Sequence, residues 1–381
     1  MGTRPGPSIQ PGSPGPDLRP DPTVGHPVPG ADAATAPLFR DPIFDGAADP
    51  TVIWNPHEGA WWMFYTNRRT TITLEQGLSW LFGSDIGVAS SADGGSSWQY
   101  RGTVDGLAFE WGRGTYWAPE VVEHDGTFHL FLSYIRGIPT SGPPPQMRIH
   151  HYSSPDLLHW THLGPLPLHS DRVIDACVAP RPGGGWRMWF KDELTGSSTW
   201  AADSADLYDW RVLGQVLSTP GGHEGPNVFT FAGWSWLLVD TWAGQLAHRS
   251  HDLVQWEPAG LVLAGTTGQR HARTDDVGPG LHADVVVNDG RAWIFYFTHP
   301  DRTGPDHPTV RSRRSSVLVA ELGVVDGDLV CDRDAEVTLT LVPPQPAEYG
   351  RPASSRPPPS RSETKVTTDL STGPAGTVAT G

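Results

Sequence analysis

Residues 282–297 read His-Ala-Asp-Val-Val-Val-Asn-Asp-Gly-Arg-Ala-Trp-Ile-Phe-Tyr-Phe, and this pattern decides the fold. Two β-branched or aromatic runs flank an Asn-Asp-Gly turn, whose residue types tolerate the positive φ of a tight hairpin. Four other stretches share this plan of an acidic or His head residue, an apolar run, a turn and an aromatic run. Their head residues are Asp49, Glu120, Asp175 and Glu224. The sequence therefore predicts five equivalent β-hairpins.

A second motif follows most of these hairpins and reads Ser-x-Asp-x-x-x-Trp. It occurs at Ser154–Trp160, Ser204–Trp210 and Ser250–Trp256, with a longer version at Ser91–Trp98. The Asp is expected to bond backbone amides of its own turn while the Trp packs between sheets, so both are interpreted as structural. In the fifth unit, segments beginning at Ser315 and Gly327 supply the outer strands.

Each unit has the length of one four-stranded blade, and the first is enlarged by an insertion near residues 70–85. Repeated blades pack radially around a channel, so we predict an all-β, five-bladed β-propeller over residues 37–343. Residues 37–44 are expected to help to close the ring. The Pro-rich segments 1–36 and 344–381 are predicted to be disordered tails.

The composition excludes several classes of partner. The net charge is −15, whereas binding to nucleic acid or to an anionic membrane needs clustered Lys and Arg.

No run of about 18 apolar residues is present, and the N-terminus lacks the apolar segment of a signal peptide, so a cytoplasmic location is expected. Cys177 and Cys331 are too few for a disulfide framework or a zinc site. The sequence does not indicate an oligomeric state.

The head residues are expected to converge on the channel, which places four carboxylates and His282 together. Like charges at close range raise one another's proton affinity, so such a ring indicates a use for them. Glycosidic cleavage needs one protonated carboxyl group for the leaving oxygen and one carboxylate for water or the sugar. The sequence alone leaves open which stereochemical outcome applies.

The order and context of these residues resemble glycoside hydrolase family 43 and the related families 32, 68 and 117, over roughly residues 38–340. The resemblance implies that Asp49, followed by Pro50, is the general base and that Glu224, in His-Glu-Gly-Pro-Asn, is the general acid. It also implies that Asp175, in Val-Ile-Asp-Ala, tunes the pKa of the acid, although Ala176 stands where the family usually has Pro. The family further implies inversion at the anomeric carbon.

Further residues are candidates for substrate binding. Trp117, in Trp-Ala-Pro-Glu120, either stacks on a sugar ring or packs in the core, and Glu120 is expected to bond substrate or a neighbouring side chain. Basic residues near predicted strand ends either reach substrate or form surface salt bridges. They are Arg68, Arg172 and Lys191.

Two assignments around the channel stay open at this point. His282 is a substrate contact, a structural residue or a ligand of calcium or another divalent cation, since the family's His binds a metal in some members; no cofactor is otherwise required. Asp45 is a rival to Asp49 as the base, but Asp49 is preferred because it heads a repeat.

The predicted function is hydrolysis of terminal or short-oligosaccharide glycosidic bonds. Arabinofuranosides, xylosides, fructosides and anhydrogalactosides are all candidate substrates, and the loops do not distinguish them. One alternative is a sialidase-like hydrolase, since residues 91–98 resemble an Asp-box, but those enzymes have six blades. The other alternative is a carbohydrate-binding propeller without catalysis, which leaves the acidic head residues unexplained.

Overall fold

The computed structural model describes residues 34–72, 79–139, 146–304 and 309–344. Its twenty strands form five antiparallel sheets of four consecutive strands each, which confirms the predicted five-bladed propeller. The first strands of neighbouring blades contact one another around the central channel. The described helical elements are one α-helix, α1 (Val310–Arg313), and two short 3-10 turns, at Ser79–Leu81 and Glu193–Thr195. No described helix has the length and apolar character required to cross a membrane.

The blades follow the chain in order. Blade 1 comprises β1 (Ala47–Asn55), β2 (Ala60–Asn67), β3 (Asp85–Ser91) and β4 (Gln99–Thr103). Blade 2 comprises β5 (Thr115–His124), β6 (Thr127–Ile135), β7 (Arg148–Ser154) and β8 (Thr161–Pro165). Blade 3 comprises β9 (Val173–Pro180), β10 (Trp186–Asp192), β11 (Ser198–Ser204) and β12 (Trp210–Leu217). Blade 4 comprises β13 (Glu224–Phe231), β14 (Trp234–Asp240), β15 (Gln245–Ser250) and β16 (Glu257–Val262). Blade 5 comprises β17 (Leu281–Asn288), β18 (Arg291–Thr298), β19 (Ser316–Val325) and β20 (Asp328–Cys331).

The core lies between neighbouring blades, where the apolar faces of adjacent sheets pack together. The second strand of each blade carries large aromatic side chains that are fully buried. Examples are Trp62, Phe131, Trp189, Trp236 and Trp293. Burying one such side chain contributes about 1.5–3 kcal/mol, so the aromatic runs that predicted the hairpins also hold the blades together.

The Ser-x-Asp-x-x-x-Trp segments form the turns between the third and fourth strands. Asp156 accepts hydrogen bonds from the backbone N–H groups of Leu158 and His159 at 2.9 and 2.8 Å, and the Trp160 indole donates to the Leu157 carbonyl oxygen at 3.0 Å. The equivalent turn at 204–210 repeats this pattern. The structural interpretation of this motif is confirmed.

The ring is closed by segments at both ends of the described chain. Phe39 forms a β-bridge with Val317 of β19, and its side chain packs in the cluster between blades 1 and 5. Near the other end, the Leu341 N–H donates to the Gly94 carbonyl oxygen at 2.7 Å. The predicted tails lie outside the described residues, except for residues 34–36 and Pro344.

Every first strand contains a β-bulge near its start, and this feature corrects the alignment of the five head residues. The first residues of the bulges are Asp49, Ala118, Asp175, Gly225 and His282. We call these five equivalent positions the bulge column. Glu224 lies one residue before the bulge-column position of blade 4, and Glu120 lies two residues after that of blade 2. The sequence alignment matched residue types, whereas one step along a strand turns a side chain to the opposite face.

Candidate active site

The first strand of each blade begins, and the second strand ends, on the same face of the propeller, because the two form an antiparallel hairpin. Residues from these two positions surround a cavity of about 340 Å³ at the mouth of the channel. The polar and aromatic residues of its wall are Asp49, Arg68, Trp80, Trp117, Asp175, Lys191, Glu193, Glu224, Trp242, His282, Phe297, His299 and Arg302.

Asp49 is buried on the blade 1 side of the cavity, at a bulge position with φ of 50°. One Nη2 atom of Arg68 lies 3.0 and 3.2 Å from the two Asp49 carboxylate oxygens, and His282 Nδ1 lies 3.6 Å from Oδ1. The Arg68 guanidinium also lies over the Phe297 ring, 4.7 Å from its centroid. Arg68 and, at longer range, His282 thus hold this carboxylate in place.

Asp175 occupies the equivalent bulge position of blade 3, with φ of 58°. Its N–H donates to Ser133 Oγ at 3.0 Å, and its Oδ2 accepts the N–H of Gly225 at 3.2 Å. Burial raises the pKa of Asp175 to about 6; the nearby His282 opposes this rise, and the Glu224 carboxylate adds to it. Asp175 therefore holds a proton at mildly acidic pH and is tied to the residue that follows Glu224.

Glu224 begins β13, and its carboxylate reaches the cavity. Lys191 Nζ lies 3.1 Å from Glu224 Oε2 and 2.7 Å from Glu193 Oε1. Burial by itself raises the pKa of Glu224, but Lys191, His282 and a hydrogen bond from Trp242 together lower it. The pKa of Glu224 is thus shifted in the direction opposite to that which a general acid needs.

Asp240 binds the backbone of two residues of the cavity wall, one from blade 4 and one from blade 5. Its Oδ2 accepts the backbone N–H of His282, and its Oδ1 accepts that of Trp242, both at 2.7 Å. Burial and the Glu224 carboxylate raise the pKa of Asp240 to about 7. For His282, burial lowers the pKa, but the carboxylates of Asp175, Asp49, Glu224 and Asp240 outweigh it and raise the pKa above its ordinary value.

This charge environment bears on the metal ion expected near His282. A metal ligand must be a neutral imidazole, whereas the surrounding carboxylates favour the protonated form of His282. Within the described ranges, no three His, Cys, Asp or Glu side chains are grouped so as to hold a metal ion. A metal ion near His282 stays a prediction.

Seven of the residues singled out in the sequence meet in this cavity. They are Asp49, Arg68, Trp117, Asp175, Lys191, Glu224 and His282. Trp117 is partly exposed and is held from behind, since its indole donates to the Leu81 carbonyl oxygen at 2.8 Å and its ring packs on Phe82. The family's Pro after the blade 3 Asp is replaced by Ala176, and the bulge at Asp175 forms with this residue.

The remaining candidates lie elsewhere. Glu120 is buried deeper in the channel, where it accepts the Val178 N–H at 2.6 Å, and burial raises its pKa well above the ordinary value. Arg172 does not line the cavity; its carbonyl oxygen accepts the Glu193 N–H at 2.9 Å. Asp45 pairs with Arg40 and is also absent from the wall of the cavity.

Sequence reasoning missed several wall residues, among them Trp242, His299 and Arg302. Asp240 ends β14, Trp242 comes two residues later, and His299 directly follows the last residue of β18. Arg68 and Lys191, which were found, occupy corresponding places at the ends of β2 and β10. A search of the residues at and just after the end of each second strand would therefore have found the missed wall residues.

The sequence matches no protein-family model and no curated protein. Solved structures share the fold. A thermostable family-43 glycoside hydrolase is 19% identical, with a TM-score of 0.57 over 80% of this chain and 98% of that one. A GH43_1 enzyme from Xanthomonas citri complexed with xylotriose is 16% identical, with a TM-score of 0.58 over 81% and 96%. A Cellvibrio cellulosa α-L-arabinanase complexed with arabinohexaose is 14% identical, with a TM-score of 0.52 over 75% and 95%.

The chain thus has the five-bladed β-propeller fold of family-43 glycoside hydrolases, as the sequence resemblance implied. At these levels of identity the likeness establishes the fold. The chemistry has to be argued from the cavity itself.

Proposed function

We propose that this protein is a glycoside hydrolase that acts on terminal or short-oligosaccharide linkages, with Asp49 as general base and Glu224 as general acid. One observation carries the proposal. A single cavity brings together carboxylates from blades 1, 3 and 4, and each has different partners: Arg68 for Asp49, a backbone N–H for Asp175 and Lys191 for Glu224. Different environments give similar carboxyl groups different roles, as glycosidic cleavage requires.

The reaction proceeds by a single displacement at the anomeric carbon. Asp49 accepts a proton from a water molecule while the oxygen of that water bonds to the anomeric carbon. Glu224 gives its proton to the leaving oxygen as the glycosidic bond breaks. One turnover leaves Asp49 protonated and Glu224 ionised, and exchange with solvent restores both. Arg68 and His282 keep the base oriented throughout.

The proton on Glu224 needs a source, because Lys191 favours the ionised form of Glu224. Asp175, with its pKa near 6 and its bond to the Gly225 N–H, is the neighbouring store of a proton. Lys191 already contacts Glu193, so it keeps a partner when a leaving group displaces it from Glu224. Asp175 and Lys191 together control the protonation of the acid in this scheme.

The substrate panel follows from the structural neighbours, which include enzymes complexed with xylotriose and arabinohexaose. The cavity wall contains Trp80, Trp117 and Trp242, whose faces suit the C–H surface of a sugar ring. Xylosides and arabinofuranosides with one to three residues are therefore the first compounds to assay.

The test compares two leaving groups. We expect Glu224→Gln to lower kcat on an unactivated disaccharide by about 10²–10⁴-fold, and by much less on the matching 4-nitrophenyl glycoside, whose phenolate leaves without protonation. Asp49→Asn should lower both rates alike, because water activation is needed in both. Glu321→Gln, which alters an exposed carboxylate paired with Arg291, is the matched control. Unchanged hydrolysis by Glu224→Gln would exclude the assignment, and the anomer seen first by NMR tests inversion.

A further inference from the structure

A second, smaller cavity of about 90 Å³ adjoins the catalytic cavity on the blade 5 side. The two share four wall residues, namely Trp242, Leu281, His299 and Arg302. The rest of the small cavity is formed by apolar or small residues, such as Val277, Gly268 and Gly278, and by Thr267. Arg302 is the one side chain of fixed charge in its wall. We call this space the side cavity.

Arg302 is half-buried at the wall of the side cavity, and its guanidinium has no partner among the described residues. Its Nε is shielded from solvent without a hydrogen-bond acceptor, and no carboxylate pairs with the side chain among the described residues. Burial, and to a smaller extent the charge of Arg68, lower the pKa of Arg302 to about 9. Burial therefore removes part of the hydration of the Arg302 charge, and no counter-charge among the described residues offsets that cost.

Other buried arginines in the protein are compensated. Arg187 forms hydrogen bonds of 2.7 and 3.1 Å to the two carboxylate oxygens of Asp203. Arg333 pairs with Asp276 and also donates to three backbone carbonyl oxygens. Burial by itself lowers the pKa of Arg333, but Asp276 and Tyr296 outweigh it and raise the pKa. Arg302 has no such partner among the described residues, and unlike the other arginines with a shielded Nε it lines the side cavity, where a ligand anion could supply one.

We propose that the side cavity is a subsite for an anionic group on the sugar, a carboxylate or a sulfate ester, which Arg302 binds while the glycosidic bond lies between Asp49 and Glu224. This proposal rests on the proposed function, since it names the class of glycoside cleaved. The guanidinium fork matches a planar or tetrahedral oxyanion. The apolar wall strengthens the attraction, because it keeps water and competing ions away.

The position of the subsite matches this role. Arg68 lies near enough to Arg302 to affect its pKa, but Arg68 is already bonded to Asp49, so Arg302 is the guanidinium that remains for substrate. Lys191 is likewise occupied by Glu193 and Glu224. A neutral sugar leaves Arg302 buried without a counter-charge, whereas an anionic sugar satisfies it. The arrangement therefore favours anionic over neutral glycosides.

Matched pairs of aryl glycosides test the proposal. 4-Nitrophenyl β-D-xyloside and β-D-glucuronide differ only by the carboxylate on C5, as do the α-L-arabinopyranoside and the β-D-galacturonide. A β-D-galactoside and its 6-sulfate form the sulfate arm. We expect the wild-type protein to prefer the anionic member of at least one pair by about tenfold or more in kcat/KM, and Arg302→Gln to lose that preference. The pair of substrates whose preference depends on Arg302 shows whether the bound anion is a carboxylate or a sulfate ester.

A binding measurement separates this proposal from the proposed function. Calorimetric titration with sodium glucuronate, sodium galacturonate and galactose 6-sulfate should detect one ligand whose affinity falls about tenfold or more in Arg302→Gln. Arg302→Lys should recover part of the affinity, because it restores the charge without the fork. Arg291→Gln, at an exposed pair with Glu321, is the matched control and should leave every ratio unchanged.

The outcomes are distinguishable. Removing an unpaired buried charge should leave the unfolding temperature of Arg302→Gln no lower than that of the wild type. A lower unfolding temperature, with no anionic preference to lose, would make Arg302 structural and overturn the proposal. Hydrolysis of neutral glycosides alone, with ratios unaffected by Arg302→Gln, would also overturn it but leave the proposed function standing. Anion binding that depends on Arg302, without hydrolysis of any glycoside, would support the subsite and contradict the proposed function.

Discussion

Replacing Arg68 by Gln tests how the proposed base is positioned. In the structure, one Arg68 nitrogen donates to both Asp49 oxygens at 3.0 and 3.2 Å, and among the described residues the other basic group near Asp49 is His282, at 3.6 Å. A hydrogen bond to a charged group contributes about 1.5–3 kcal/mol. If the transition state depends on that orientation, the loss corresponds to roughly a 10- to 150-fold fall in kcat/KM.

The assay is steady-state hydrolysis of the best aryl glycoside by the wild type, Arg68→Gln and Arg68→Lys, together with thermal unfolding. Arg68→Lys should lie between the other two, because an ammonium group gives Asp49 a point charge without the guanidinium plane that lies over Phe297. Arg291→Gln again serves as the control for loss of an exposed arginine. If Arg68→Gln keeps more than a third of the wild-type kcat/KM, Arg68 does not position the base.

Three further perturbations address the acid, the bulge and the core. Because Lys191 lowers the pKa of Glu224 and a general acid must be protonated, Lys191→Met should move the alkaline limb of the kcat/KM profile to higher pH; a limb that moves to lower pH contradicts this account. Gly225→Ala, at φ of +54°, would place a Cβ atom 2.8 Å from His282 Cγ, so kcat should fall as His282 is displaced, and a crystal structure with His282 unmoved would be the contrary result. Arg333→Met should lower the free energy of unfolding in urea by about 3–5 kcal/mol, because it leaves a buried carboxylate unpaired, and a loss below 1 kcal/mol would show that the pair is dispensable.

The architecture was predictable from sequence because each blade is built from one continuous segment. Aromatic runs such as that of β18 must be buried, and their tight turns bring neighbouring runs into antiparallel pairs, so local patterns already determine the sheets. Where residues such as Asp49 and Asp175 head their strands at bulges, alignment by residue type also gave the correct side chains for the cavity.

The alignment misplaced Glu120, because the bulge shifts the register within a motif of the same residue types. Glu120 looks like a head residue, but it follows the blade 2 bulge at Ala118 and points into the deeper channel. Arg302 was missed for another reason. It lies four residues after β18, and no local sequence pattern predicts that a side chain there is shielded without a partner among the described residues.

The bulge column has a consequence for engineering. At Asp49, Ala118, Asp175 and Gly225 the backbone has a positive φ, which Asn and Asp adopt more readily than most residues. Ala118 places only a methyl group at its position in this column. Asn there suits the φ of the existing backbone, so the substitution adds an amide without backbone strain. The propeller thus offers repeated sites at which new chemistry can be installed one residue at a time.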